Sequence, residues 1–164
     1  SVEAVRAMAE VAKPYGVRLA VEPVGFEGCA ISSVQTAWRV AKETGMENVG
    51  LLLDTFNVYL DPGYGQFDFG QLSAEEVLGI HVADAEGKPV NTLTQENRLW
   101  PGHGVIPLCE LIGEFLRSGY SGPLSVELFR PEYYEMNPRD TVAQSAQTLR
   151  RLVAGCEESG IWNQ

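Results

Sequence analysis

Hydrophobic positions along this chain change period several times. Four short apolar runs, Val17–Glu22, Val49–Asp54, Leu78–Ala83 and Leu124–Phe129, are too short for helices and predict strands. The second is apolar almost throughout, the pattern of a strand in a helix-covered parallel sheet. Between the runs, apolar residues recur three and four positions apart. Val34, Ala37, Trp38 and Ala41 follow Ser32–Ser33, a pair suited to N-capping, and Gly45 is placed to end that helix. Leu108, Leu111, Ile112 and Phe115 form a second stripe, stopped by Gly119; Val142, Ala146, Leu149 and Val153 form a third, ended by Gly155. The opening segment, with Val2, Val5, Met8 and Ala12, predicts a helix that Pro14 and Gly16 terminate.

The order is α-β-α-β, a short helix, β, a long loop, then α-β-α. Each gap between strands holds a helix, so the units are βαβ crossovers and the sheet is parallel. Two architectures fit: a small doubly wound sheet, or four units of a (β/α)8 barrel, which normally takes ~250 residues. The 164 residues predict a single domain, 1–164. The chain opens on Ser1 already in a helical pattern, so a start upstream is expected.

Charge narrows the partners. A formal net charge of −10 argues against a nucleic-acid backbone or an anionic membrane surface, either of which needs a basic patch. No run approaches the ~18 apolar residues of a membrane span, and the N-terminus lacks a signal-peptide pattern. Cys29, Cys109 and Cys156 are odd in number and far apart, and predict small buried apolar groups in a reducing, cytoplasmic setting rather than a disulfide framework.

In parallel α/β folds ligands bind at the carboxyl ends of the strands. Here each strand carries a chemically capable side chain at or near that end: Glu22, Asp54, His81 and Glu127. Any one of them alone is more often a surface charge, a cap or a hydrogen-bonded core residue. Four together differ, because three carboxylates in apolar strands repel one another unless a cation neutralises them. Three oxygen donors and one imidazole suit Mn²⁺, with Zn²⁺, Co²⁺ and Mg²⁺ as alternatives. The long loop holds Arg98-Leu99-Trp100-Pro101-Gly102-His103-Gly104, which reads either as a rigid turn with Trp100 packed on a rim or as a substrate-facing segment. Phe129-Arg130-Pro131-Glu132-Tyr133-Tyr134 is likewise a ligand-facing loop or an aromatic lid on the core. Neither phosphate-binding glycine motif occurs, nor does a G-x-S-x-G nucleophile elbow.

Ala20-Val21-Glu22, Leu53-Asp54-Thr55-Phe56, Ile80-His81-Val82, Arg98-Leu99-Trp100-Pro101-Gly102 and Ser125 to Tyr134 resemble the xylose-isomerase-like TIM-barrel sugar isomerases and epimerases, and among them the inosose isomerases of inositol catabolism. The likeness runs from about Val11 to Arg151. It implies that the chain is the C-terminal four-strand portion of the barrel. It also implies Glu22, Asp54, His81 and Glu127 as metal ligands, with Glu22 and Glu127 as the catalytic pair on two faces of a cyclitol or sugar substrate. Arg98 matches a position expected to contact substrate oxygens, and Trp100, His103 and Asn57 are further candidates for substrate contact. The family usually has His three residues after the Asp ligand, where this chain has Asn57.

The activity so implied is an intramolecular ketone shift through an enediolate, with no redox cofactor. Within the superfamily, a ketose 3-epimerase, a hydroxypyruvate isomerase or a dehydroshikimate dehydratase would keep the ligand set and change the pocket. An apurinic endonuclease is disfavoured by the charge and by having only two histidines. From another class, an inactive half-barrel or a binding module is the rival. Open apolar edges at the first and last strands predict homo-oligomerisation or aggregation of the isolated chain, with weak or absent turnover.

Overall fold

The computed structural model describes residues 2–26 and 28–163. Helix α1 (Val2–Ala12) runs through a 3-10 turn at Lys13–Tyr15 to Gly16 and strand β1 (Leu19–Val21). Helix α2 (Val34–Thr44) leads to β2 (Val49–Asp54), short α3 (Thr55–Leu60) and β3 (Val77–Val82). The two-residue strands β4 (Asp84–Ala85) and β5 (Arg98–Leu99) flank a loop. Helix α4 (Leu108–Leu116), β6 (Leu124–Val126), one-turn α5 (Pro131–Tyr134) and α6 (Pro138–Glu158) complete the order.

Strands β1, β2, β3 and β6 form one parallel sheet in that spatial order. The predicted parallel α/β class is therefore the one observed. Side chains alternate across the sheet. Val21, Leu51, Leu53, Ile80 and Val82 are buried in a common core with Val34, Ala37, Phe56, Ile112 and Phe115 from the helices. On the opposite phase, Ala20 and Ser125 are exposed and Leu52 is half-buried. This second face carries the charged side chains at the strand ends.

Local chemistry explains the element ends. Ser33 caps α2, its hydroxyl accepting from Thr36 N at 3.2 Å, and Gly45 closes that helix at φ 64°, a left-handed conformation that glycine adopts without penalty. The edge strands are shorter than their apolar runs, because each has a ladder partner on one side alone: β1 keeps Leu19–Val21 and β6 keeps Leu124–Val126. Three readings of the helical stripes change. Ala9, not Met8, is the buried position of α1, and Met8 is 56% exposed. Helix α6 continues through Gly155 to Glu158, and its stripe begins after the exposed Val142.

The cysteines overturn their sequence reading. Cys109 on α4 and Cys156 on α6 form a disulfide, and Cys29 is exposed. Helix packing brings together two thiols 47 residues apart, which no spacing motif signals. The anchor at Cys156 also holds helix past Gly155, whose intrinsic cost of about 1 kcal/mol tertiary contact overrides. Cys109 and Cys156 are thus paired and are not the unpaired thiols that the sequence predicts for a reducing compartment.

The long loop after β3 is built around one buried carboxylate. Asp84 accepts from Ala85 N (2.9 Å), Ile106 N (2.9 Å) and Gly104 N (2.8 Å). A Cβ on Gly104 would lie 2.1 Å from Ala85 O and 2.5 Å from Asp84 Oδ1, so only glycine lets the loop approach this closely. The antiparallel pairing Asp84↔Leu99 and Ala85↔Arg98 then places Arg98 beside the strand ends.

Two outcomes are expected from this packing. Reducing the disulfide, which closes a loop of 47 residues, should cost about 2–4 kcal/mol and lower the melting temperature by roughly 5–15 °C; Cys156→Ser should show the same low value and no response to reductant. Asp84→Ala orphans three backbone donors and should lose about 3–5 kcal/mol in urea titrations. A loss under about 1 kcal/mol would mean that water replaces the carboxylate.

Candidate active site

Four strands deliver four side chains to one point. Asp54 closes β2, His81 lies beside it in register on β3, and Glu22 and Glu127 directly follow β1 and β6. One ligand atom from each residue lies within 4.8 Å of the others. The face is partly open: the side chains of His81 and Glu127 are 23% and 30% exposed, whereas Asp54 is fully buried.

Arg98 compensates part of the negative charge. Its Nη1 lies 2.7 Å from Asp54 Oδ2 and 3.6 Å from Glu127 Oε2, and it donates to Glu127 O at 3.2 Å. Its Nε donates to Gln95 Oε1 at 2.5 Å. The guanidinium lies over the rings of Phe56 (4.8 Å) and Phe129 (5.2 Å), cation–π contacts that help to hold it. Asn57 joins two of the four residues. Its backbone N donates to Asp54 Oδ1 at 2.7 Å and its Nδ2 to Glu22 Oε1 at 3.1 Å.

Electrostatics reflect the crowding. Burial, then the charges of Asp54 and Glu127, push the Glu22 carboxyl above its ordinary value. Burial also raises Asp54, against the opposing pull of Arg98. A long 3.4 Å contact between His81 Nδ1 and Glu127 Oε1 raises the imidazole and lowers the carboxyl.

Two buried polar atoms here have no protein partner, Asn57 Oδ1 and Arg98 Nη2, and His81 Nδ1 has only the long 3.4 Å contact with Glu127. Such atoms are costly when left unmatched, and their concentration at one place marks a site completed by something other than the protein. Three carboxylate oxygens with one imidazole nitrogen can hold a divalent metal ion, and an imidazole nitrogen with no contact shorter than 3.4 Å fits that role.

The predicted residues divide. Glu22, Asp54, His81 and Glu127 converge, and Asn57 and Arg98 touch them. Trp100 is instead buried against Tyr133, ring centroids 4.6 Å apart, in the rim packing that was one of its two readings. His103 is exposed on the turn whose backbone N donates to Trp100 O, and no hydrogen bond or ion pair joins its side chain to the cluster among the described residues. The 129–134 segment divides too: Phe129 faces Arg98, while Arg130 pairs with Glu86 and Tyr133 supports Trp100. The sequence reading missed Asp84, and it singled out Phe56 and Phe129 without their contact with Arg98. Phe129 shares its alternation phase with Glu127, and Phe56 stands two residues after Asp54, a signal that was available.

Comparison with known proteins agrees with this geometry. The xylose isomerase-like TIM barrel family model matches residues 1–152. An inosose isomerase of Halalkalibacterium halodurans is 36% identical over 147 residues, 90% of this chain and 52% of the relative. One of Bacillus subtilis is 33% identical over 154 residues, 94% and 55% respectively. The solved structure of the IolI protein with a bound zinc atom superposes with a TM-score of 0.84 at 31% identity, over 94% of this chain and 55% of that one. The chain therefore spans about half the length of the curated relatives it matches. With its parallel sheet, its cluster at the strand ends and a family match over nearly its whole length, the chain belongs to the xylose isomerase-like TIM barrel family.

Proposed function

We propose that this chain is the ligand-bearing half of a metal-dependent inosose isomerase. The observation that carries the reading is the meeting of Glu22, Asp54, His81 and Glu127 within 4.8 Å. The inosose assignment takes its support from relatives of that name. The half-barrel assignment takes its support from four parallel strands with an uncovered inner face, in a chain matching about half of each relative. In this reading four further strands complete the wall, β1 and β6 being the edges they meet.

Glu22, Asp54, His81 and Glu127 would hold a divalent ion, with Mn²⁺ favoured by an oxygen-rich set containing a single imidazole. Such an ion supplies Lewis-acid polarisation of a carbonyl and its neighbouring hydroxyl when bound. Glu22 and Glu127 come from the two outer strands of the sheet, so their carboxylates flank the substrate between them. One carboxylate takes the C–H proton from the hydroxyl-bearing carbon, leaving an enediolate. The other delivers a proton to the former carbonyl carbon. The hydroxyl proton passes to the former carbonyl oxygen, so ketone and alcohol exchange places with no net oxidation. Asn57 holds Glu22 Oε1 at 3.1 Å and Arg98 holds Asp54 Oδ2 at 2.7 Å, so both act on the substrate through the carboxylates they orient.

Mn²⁺ should raise the melting temperature of the chain, and EDTA should reverse the rise. Glu127→Gln should remove most of the metal-dependent shift, and a melting curve indifferent to both reagents would sink the metal assignment. Incubated with 2-keto-myo-inositol and Mn²⁺ in D₂O, a closed barrel containing this sequence should give an isomeric ketone carrying solvent deuterium, without NAD. Turnover of a ketohexose and not of the inosose would replace the isomerase reading with a 3-epimerase.

A further inference from the structure

The cluster's charge is set by a residue outside the ligand set. Three carboxylates converge on the strand ends, and Arg98 is the one guanidinium paired with them among the described residues. Arg98 and Asp54 are both fully buried, so this charge is not diluted by solvent. Nor can the guanidinium swing away: Gln95 fixes Nε, Phe56 and Phe129 clamp its faces, and the β4–β5 pairing fixes its backbone. With Arg98 in place, the fully ionised cluster carries two net negative charges around a neutral imidazole. A divalent ion brings that sum to zero; a trivalent ion leaves an uncompensated positive charge in a partly buried site.

We propose that Arg98 is the charge-setting residue of the cluster, a built-in cation that matches the site to divalent ions and discriminates against trivalent ones. The inference rests on the metal reading above, but it concerns which ions bind and not which substrate turns over. Arg98 also occupies one lone pair of Asp54 Oδ2, while Asn57 N occupies one of Oδ1. Each oxygen keeps a single lone pair for an incoming cation. The guanidinium thus acts on the site through Asp54 and through the field, as a positioning and selectivity residue.

The test compares Mn²⁺, titrated calorimetrically, with Tb³⁺, followed by its luminescence, in phosphate-free buffer on the 164-residue chain. In Arg98→Met the site regains its third negative charge. The extra charge of Tb³⁺ no longer meets a nearby cation, so the affinity ratio of Tb³⁺ to Mn²⁺ should rise at least about tenfold. Arg98→Lys keeps the charge and should hold the ratio within about threefold of wild type. Should Arg98→Met fail to fold, Asn57→Asp supplies the same extra negative charge with Arg98 intact and should move the ratio in the same direction. A merely structural Arg98 would weaken both ions in parallel and leave the ratio fixed. Wild type binding Mn²⁺, with the ratio unmoved in each folded charge variant or moved equally by Arg98→Lys, overturns this inference alone. Wild type binding neither ion overturns the metal reading and this inference with it.

Discussion

The buried ion pair between Asp54 and Arg98 is the constraint on which the rest of the site depends. Removing two charges from water is expensive, and the attraction between them repays that cost only in good geometry with their other groups satisfied. Here Asp54 has Asn57 N on its second oxygen, and Arg98 has Gln95, the Glu127 carbonyl and two aromatic faces. Losing one partner of such a pair costs about 3–5 kcal/mol, since the other is left charged and buried. The pair also does what neither residue does alone: it lets an acid sit at the end of an all-apolar central strand. Without Arg98 or another cation beside it, Asp54 would be driven toward its neutral form by burial and by the neighbouring Glu127.

That pair in turn depends on a loop, and the loop on a second buried acid. Arg98 reaches Asp54 because β5 pairs with β4, and the β4 end is held by the three backbone donors on Asp84. A similar economy operates around α3. Asp54 caps that helix through Asn57 N, and the Asn57 side chain then fixes Glu22 just beyond the end of β1. Thr55 ties the same segment to β3, its hydroxyl donating to Ala83 O at 2.7 Å and accepting from Ala83 N at 2.9 Å. Side chains that place the cluster are thus backbone-capping residues in the same few positions. A substitution at Asp54, Thr55 or Asn57 changes the local fold and the chemistry together.

The sheet and the meeting of four side chains were legible because both are local signals. Short apolar runs carrying a carboxylate or imidazole at or near their ends are readable in isolation, and the rule that such groups gather at strand ends needs only the strand order. What escaped depended on contacts distant in sequence. Cys109 and Cys156 meet only because α4 packs against α6. The helix past Gly155 persists for the same reason. Asp84 lies in an apolar stretch continuous with β3 and gives no periodic sign of the three donors it receives from residues up to 22 positions away. Arg98 was readable as a site residue, but its main occupation, the ion pair 44 positions back in the chain, was not.

The two faces of the sheet explain why the reactive groups can assemble here without a complete pocket. All four clustered side chains come from neighbouring parallel strands, so their convergence requires only the β1–β2–β3–β6 ladder and the core that Leu51, Leu53, Ile80 and Val82 form against the helices. That core lies entirely on the helix side. The ligand side, with Ala20 and Ser125 exposed and Leu52 half-buried, contributes almost nothing to it. Stability and chemistry are therefore carried by opposite phases of the same strands. The geometry of the cluster belongs to the part that folds around the helix-side core, whereas the other phase, with the small side chains of Ala20 and Ser125, leaves the cluster's open side unwalled within the described residues.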